Sequence, residues 1–297
     1  MKIWIRAFRL RTLPLALSTI GCGSFIAGFE GKFDDLTFYL TALTTLFLQV
    51  LSNLANDYGD TENGADSEDR KGPSRAVQSG EISLAKMKKV IFLFVFLSLI
   101  TGLTLIIYSF GLDRLPFIVG FFVLGIASIW AAIKYTMGNN PYGYSGFGDL
   151  FVFLFFGIVG VMGSYFLHTH ELNLLVLLPA FTIGAFSVGV LNVNNIRDID
   201  SDRAAGKKSI PVRIGAGKAK VYQVFMLLIG FMASILYVYL TYRTPYQYAF
   251  IVVLPLIAIH LTRLKNANTP AEVDPLLKQL AMTTLLYCLT FGFGGCF

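Results

Sequence analysis

Apolar runs, each about as long as a bilayer is thick, recur along the whole chain between short charged loops. A helix needs about 20 apolar residues to cross a membrane. We therefore predict nine spans, at residues 12–30, 36–58, 88–110, 115–136, 148–168, 172–196, 219–241, 246–264 and 276–296. No polar linker is long enough to separate two domains. The pattern predicts an all-α, polytopic membrane protein with a single transmembrane domain over residues 1–297.

Composition and charge agree with this prediction. Hydrophobic residues make up 55% of the chain and charged residues only 14%, whereas soluble proteins carry about 25% charged residues. A net charge of +6 could suit nucleic acid, but the cations are spread over several short loops. Membrane topology explains that distribution better, so we expect membrane lipid and no nucleic acid as a partner. The three cysteines have no metal-binding spacing and no disulfide framework.

The distribution of lysine and arginine predicts an orientation. With nine alternating spans, all but three of the 24 cations fall on one side of the membrane; the exceptions are Lys32, Arg114 and Arg243. Cytoplasmic loops carry the excess of positive charge, so we expect this side and the N-terminus to be cytoplasmic. Arg9 and Arg11 interrupt the N-terminal apolar pattern, which favours a retained first helix over a cleaved signal peptide.

One candidate site lies in residues 191–213, where an apolar run ends in a burst of charge. Asp198 and Asp202 are four residues apart, so on a helix they share one face. Two adjacent carboxylates repel each other, and a divalent cation can relieve that repulsion. Five cations surround them: Arg197, Arg203, Lys207, Lys208 and Arg213. Carboxylates that hold a metal, beside cations that hold phosphate oxygens, suit a magnesium-bridged phosphate.

A second polar stretch ends the second predicted span on the same side. Asn56 and Asp60 repeat the four-residue spacing, and Asp66 follows after a glycine that can turn the chain. These side chains could simply be solvated at the membrane surface. Carboxylates at a helix C-terminus oppose the helix dipole, however, so two such clusters favour a function. Asp57 and Asp200 lie on other faces and could be solvated or support the site.

Several nearby residues are candidates for contact with substrate. Arg75 and Lys208 lie few enough residues from the carboxylates to reach back to a diphosphate. Lys134, at the inner end of span four, could contact the diphosphate or extend to the membrane surface. Tyr142, in a loop that also holds Tyr135 and Tyr144, could belong to an interfacial tyrosine belt. The alternative is an aromatic wall whose ring faces surround a cationic intermediate.

These motifs resemble the UbiA superfamily of intramembrane prenyltransferases. Its first signature, Asn-x3-Asp-x5-Asp, is matched by Asn56, Asp60 and Asp66, and its second, Asp-x3-Asp, by Asp198 and Asp202. The loop around residues 142–149 is most similar to the MenA group, the 1,4-dihydroxy-2-naphthoate polyprenyltransferases of bacterial menaquinone synthesis. The departures are mild: glycine at position 59, where an aromatic is frequent, and two asparagines at 139–140, where Gly-Pro is frequent.

The resemblance implies a UbiA-type helical bundle in a bacterial inner membrane, with an active site on the cytoplasmic side. It implies a polyprenyl diphosphate donor, two Mg²⁺ ions, and a 1,4-dihydroxy-2-naphthoate acceptor that loses CO₂ as it gains the chain. We accordingly assign Asn56, Asp60 and Asp66 to one ion, and Asp198 and Asp202 to the other. Candidate contacts of the diphosphate are Arg75, Lys134 and Lys208, and candidate contacts of substrate are Tyr142 and Asn195.

Two alternative functions remain at this point. Charged groups within a membrane protein can mark the ion path of a transporter. Transporter sites, however, usually lie near the bilayer midplane on broken helices, whereas these clusters lie at helix ends on one side. A nearer alternative is a prenyltransferase with another aromatic acceptor, such as 4-hydroxybenzoate or homogentisate, because its donor chemistry would be the same.

Overall fold

A computed structural model describes residues 2–65 and 75–295 of the 297-residue chain. Those residues are helical or irregular, without a β-strand. They include nine helices long and apolar enough to cross a membrane, which confirms the predicted fold class. We label these α1 to α9: Lys2–Phe29, Asp35–Glu62, Leu84–Phe110, Leu115–Lys134, Gly148–Thr169, Leu174–Arg197, Ala216–Leu240, Pro245–Asn266 and Pro270–Gly295.

Two helix boundaries differ from the predictions in ways that affect the site. Helix α2 continues to Glu62 instead of ending at 58, so Asp60 lies on the helix itself. Helix α9 begins at Pro270 rather than at 276. Thr269 and Glu272 explain the earlier start, because each side chain accepts from backbone N–H groups at the helix entrance. This extra turn brings Asp274 into α9.

Helix α6 is the most deeply buried span and packs against α5, α7 and α9. Helix α4 is the most peripheral and contacts α2 and α3. The buried faces of α1, α6, α7, α8 and α9 share one large apolar core. The C-terminal ends of α2 and α6 meet on one side of the bundle, which we call the motif end. The fold thereby brings together two stretches that lie far apart in sequence.

Helix α5 contains a π-helical segment, Phe153–Met162. Glycines in this segment allow close approach: a Cβ on Gly157 would lie 2.7 Å from the carbonyl oxygen of Ala180, and one on Gly160 would lie 2.9 Å from the Cβ of Thr19. Wide π turns occur often at functional sites. Here the segment contributes side chains to the central cavity described below.

Two loops pair through their backbones at the motif end. The backbone N–H of Lys208 donates to the carbonyl of Tyr144 at 2.9 Å. Gly146 has a positive φ of 89°, and a Cβ there would lie 2.7 Å from the carbonyl oxygen of Lys208. Only glycine adopts this conformation readily at such close range. The α4–α5 loop is therefore fixed against the segment that follows the second motif.

Candidate active site

A cavity of about 380 Å³ runs through the bundle from the motif end. At the motif end it is lined by polar side chains from both motifs, and farther along by apolar side chains such as Leu105, Phe121 and Leu167. Thr41 and Asp60, both on α2, lie along its lining. At 1.5 Å per helical residue they are about 28 Å apart, close to the hydrocarbon thickness of a bilayer, about 30 Å. The cavity thus joins a polar chamber to a long apolar tunnel.

Asp60 is the most heavily bonded carboxylate of the polar chamber. It is buried and accepts from Arg75 at 2.6 Å, from Lys207 at 2.9 Å and from the Tyr144 hydroxyl at 2.9 Å. The Arg75 guanidinium also donates to the carbonyl oxygen of Asn56 at 2.8 Å. Helix α2, the segment after it and two later loops therefore meet at one side chain.

Lys207 connects the two motifs. Its ammonium group lies 2.9 Å from Asp60 and 3.2 Å from Asp202, and 4.7 Å above the ring of Tyr144. Burial alone would lower the pKa of Lys207, but the two carboxylates raise it, so the amine stays charged. Burial and the Asp60 carboxylate raise the pKa of Tyr144, which therefore keeps its proton as a hydrogen-bond donor.

Asp198 is held by an ion-pair network that reaches the last helix. Arg197 donates to both of its carboxylate oxygens, at 2.8 and 2.5 Å, and to Asp274 of α9 at 2.5 Å. Arg11 of α1 also donates to Asp274, at 3.2 Å. Arg197 is almost completely buried, and such bidentate pairs have fixed geometry. The network fixes the orientation of Asp198 at the end of α6.

Asn56 lies where α2 touches the end of α4. Its side-chain oxygen accepts from the Thr136 hydroxyl at 3.2 Å, and Asn63 donates to the Thr136 carbonyl at 2.8 Å. A Cβ on Gly59, between them, would lie 2.6 Å from the backbone of Thr136. Glycine at 59, noted above as a departure from the resemblance, is therefore required by this close contact.

Aromatic rings line the cavity beside the polar chamber. Tyr142 stacks on Phe151 with ring centroids 4.0 Å apart, Trp130 stacks on Tyr142 at 5.9 Å, and Tyr135 meets Tyr142 edge-on. The Tyr142 hydroxyl donates to the Ala131 carbonyl, which fixes the ring. Such rings present negative faces that attract cations. Tyr135, Tyr142 and Phe151 of this cluster line the same cavity as the carboxylates.

The cavity collects most of the candidate residues from the sequence. It is lined by Asn56, Asp60, Asp198, Asp202, Arg75, Tyr142 and Asn195. Lys134 is outside that lining, with its ammonium group 3.3 Å from the carbonyl oxygen of Asn139, and Lys208 is exposed. Asp66 lies outside the described residues. The proposed roles of all these residues stay predictions.

Some site residues were not singled out by sequence reasoning. Lys207, which we placed from the sequence only among the surrounding cations, contacts both motifs. Its neighbour Lys208 was the predicted diphosphate contact, and the two adjacent lysines could not be distinguished without the loop conformation. Asp274 carried no motif, and only the fold brings it to Arg197. Asp57 is buried and accepts from backbone N–H groups, whereas Asp200 is exposed beside Arg203.

The oxygen-rich chamber fits a magnesium site that shares its ligands with substrate. Within residues 2–65 and 75–295, no three Asp, Glu, His or Cys side chains are grouped so as to hold a metal by themselves. Mg²⁺ is commonly held by one or two carboxylates together with substrate phosphates and water. Burial raises the pKa of Asp202, as do the charges of Asp198 and Asp60, against the opposing effect of Lys207. A divalent cation would stabilise these carboxylates.

Comparisons with known proteins agree with this geometry. The model of the UbiA prenyltransferase family matches residues 16–285. The chain is 40% identical to a 1,4-dihydroxy-2-naphthoate octaprenyltransferase of Haemophilus influenzae, covering 99% of this chain and 96% of that protein. It is 39% identical to the octaprenyltransferase of the same name from Escherichia coli, over 99% and 94% of the two chains.

Solved structures show the same fold. A UbiA homologue from Aeropyrum pernix superposes with a TM-score of 0.70 at 16% identity, covering 96% of this chain and 97% of that one. A UbiA homologue from Archaeoglobus fulgidus, bound to DMAPP and Mg²⁺, gives a TM-score of 0.65 at 16% identity over 99% of both chains. The family model, the two close relatives and the shared fold agree: this chain belongs to the UbiA prenyltransferase family.

Proposed function

We propose that this protein transfers a polyprenyl chain from polyprenyl diphosphate to 1,4-dihydroxy-2-naphthoate, with loss of CO₂, to give demethylmenaquinol in menaquinone biosynthesis. The observation that carries this proposal is the cavity itself. It joins a chamber of buried carboxylates and cations to an apolar tunnel, and the lining from Asp60 to Thr41 spans about 28 Å along α2. A molecule with a diphosphate at one end and a long hydrocarbon at the other matches both parts.

In this proposal two Mg²⁺ ions bind in the chamber. Asn56, Asp60 and Asp66 would hold one ion, and Asp198 and Asp202 the other. When bound, the ions would neutralise the charge that develops on the departing diphosphate. Lys207 and Arg75 lie at the same carboxylates and donate to the remaining diphosphate oxygens, which stabilises the leaving group in a buried site.

The reaction breaks the allylic C–O bond of the donor, and its electron pair leaves with the diphosphate. The aromatic rings of Tyr135, Tyr142 and Phe151 line the cavity and stabilise the allylic cation through their negative faces. The apolar lining excludes water, which would otherwise capture that cation. The electron-rich acceptor ring then forms the new C–C bond. Loss of CO₂ returns the electron pair of the broken C–C bond to the ring and restores its aromaticity.

We propose that the protein lies in the bacterial inner membrane with the motif end towards the cytoplasm. The unequal distribution of lysine and arginine supports this orientation. Both substrates then meet at the cytoplasmic surface, while the prenyl tail stays within the bilayer. We also propose that residues 1–297 act as one transmembrane domain, since the family match runs from residue 16 to residue 285.

A competition assay tests the function. Purified protein in detergent receives Mg²⁺, one polyprenyl diphosphate, and equal amounts of 1,4-dihydroxy-2-naphthoate and 4-hydroxybenzoate, and the products are separated by mass. We expect a prenylated naphthoquinol, equimolar CO₂, and no product after EDTA treatment. The matched negative control is Asp198→Asn, which keeps the size of the side chain but removes its charge.

Prenylated 4-hydroxybenzoate without prenylated naphthoquinol would refute the proposed acceptor and keep the family chemistry. Transfer that persists in EDTA would refute the magnesium assignment. Solute exchange across proteoliposomes, without prenyl transfer to either acceptor, would instead support the transporter alternative.

A further inference from the structure

Asp57 is a buried carboxylate beside Asn56 whose position differs from that of the other motif residues. Only 2% of its surface is exposed. It does not line the central cavity but a neighbouring one of about 300 Å³, which Arg75 also lines. A buried charge is costly unless it is hydrogen-bonded or paired. The buried carboxylate of Asp57 therefore needs hydrogen-bond partners.

The carboxylate of Asp57 accepts from two consecutive backbone amides, those of Ala76 at 3.2 Å and Val77 at 3.4 Å. These residues begin a tight turn, because the N–H of Ser79 donates to the carbonyl of Arg75 and the N–H of Gly80 to that of Val77. Asp57 thus caps this turn as an N-cap side chain caps a helix. Ala76 and Val77 are themselves buried.

Arg75 immediately precedes those two amides, so its backbone is fixed by the same cap. Its guanidinium lies in the central cavity and donates to Asp60 at 2.6 Å and to the Asn56 carbonyl at 2.8 Å. The three residues Asn56, Asp57 and Asp60 belong to one helix. Helix α2 therefore contacts both the backbone after Arg75 and the guanidinium of Arg75 itself.

We propose that Asp57 is a positioning residue: its carboxylate holds the turn that begins at Arg75 and thereby aims the guanidinium at the diphosphate chamber. The inference rests on the function proposed above and adds a role for a residue that would contact neither metal nor substrate. The physical reason is geometric. A long arginine side chain reaches a defined point only if its own backbone is fixed, and the bonds from Ala76 and Val77 to Asp57 tie the turn after Arg75 to α2.

Asp57 and Arg75 should then affect diphosphate binding as one unit. Asp57→Ala frees two buried amides, the turn shifts, and Arg75 leaves the chamber. We expect Asp57→Ala and Arg75→Ala each to weaken binding of geranyl diphosphate, in the presence of Mg²⁺, by about tenfold, the effect of losing one charge-assisted hydrogen bond. The double variant should bind no more weakly than Arg75→Ala alone.

The experiment measures geranyl diphosphate binding by calorimetry for wild type, both single variants and the double variant. Steady-state assays measure KM for donor and for naphthoate separately, and only the donor KM should rise. The matched control is Asp34→Ala, at the other end of α2, where the carboxylate also accepts from a backbone amide. It should lower the melting temperature and leave donor binding unchanged. Should Asp57→Ala not fold, Asp57→Asn takes its place, since it retains only one acceptor oxygen.

Independent effects that multiply in the double variant would overturn the proposal, and so would unchanged donor binding in Asp57→Ala. A rise in both KM values by the same factor, with a lower melting temperature, would also overturn it and indicate general structural damage. Binding is measured without the acceptor, so the comparison holds even if naphthoate is not the substrate. An inactive wild type that still binds geranyl diphosphate would refute the proposed acceptor alone.

Discussion

The close contact of Gly59 with Thr136 gives a sharp prediction for Gly59→Ala. The new Cβ would lie 2.6 Å from the carbonyl carbon, the carbonyl oxygen and the hydroxyl oxygen of Thr136, whereas ordinary contacts begin at 3.4 Å. Helix α2 and the end of α4 must separate by the difference, about 0.8 Å. Two of the three atoms belong to the backbone, so a side-chain rotation cannot relieve the clash.

Two opposing effects set the expected magnitude. Replacing glycine by alanine within a helix stabilises it by about 1 kcal/mol. Overpacking a close contact costs about 1–3 kcal/mol. The separation also weakens the two hydrogen bonds of the Thr136 hydroxyl, to Ala55 and Asn56, each contributing about 1 kcal/mol. The destabilising effects are larger, and we expect a net loss of about 2 kcal/mol.

Thermal unfolding in detergent measures this loss. Cys22 and Cys288 are free and buried, so a thiol-reactive dye reports their exposure as the bundle opens. The matched control is Gly120→Ala on α4, where a Cβ would meet nothing within 4 Å. Its melting temperature should stay equal or rise, while that of Gly59→Ala falls by several degrees. Prenyl transfer should fall in Gly59→Ala alone, because Asn56 and Asp60 flank the clash.

A melting temperature for Gly59→Ala at or above that of wild type would refute this reasoning. It would mean that the stabilisation of the helix by alanine exceeds the cost of overpacking against Thr136. Helices α2 and α4 could then separate at little cost. Equal effects of the two substitutions would show that the contact with Thr136 has no special importance.

Three further predictions concern the charged groups of the site. Lys207→Ala should reduce turnover by about a hundredfold or more, because the Lys207 ammonium contacts carboxylates of both motifs. Lys208→Ala should stay within about threefold of wild type, since the Lys208 side chain is exposed. Similar losses in both variants would contradict the assignment. Asp198→Asn should fold normally, as judged by size-exclusion chromatography, because Arg197 keeps its partner Asp274. It should lose most turnover, because the metal loses a charged ligand, and wild-type turnover would exclude a metal-binding role. Arg197→Met should destabilise the protein by about 3 kcal/mol, because it leaves two carboxylates without their buried partner; an unchanged melting temperature would show that the network contributes little.

The helical fold could be predicted from the sequence because apolar runs of bilayer length are a strong signal. The fold class and the nine spans were predicted in this way and are confirmed. Helix ends were less accurate, since the extra turn of α9 depends on a local cap at Thr269 and Glu272. That turn mattered, because it carries Asp274.

The site could be predicted only in part. The four-residue spacings identified Asn56, Asp60, Asp198 and Asp202, which all line the cavity. The choice between Lys207 and Lys208 depended on the path of a loop that pairs with Tyr144. The buried position of Asp57 and the pairing of Asp274 with Arg197 depended on tertiary contacts between distant segments. Spacing within one helix can reveal a shared face, but it carries no information about which loop packs over that face.

The network that joins Asp198, Arg197 and Asp274 has a consequence for how the enzyme matures during synthesis. Asp274 is 77 positions after Arg197, and at about 5–20 residues per second translation of that interval takes about 4–15 seconds. During this time both motifs already exist in the nascent chain, but the residue that anchors Arg197 does not. The second motif reaches its final arrangement only when α9 inserts. A chain truncated before α9 would carry every signature residue and remain an incompletely assembled catalyst.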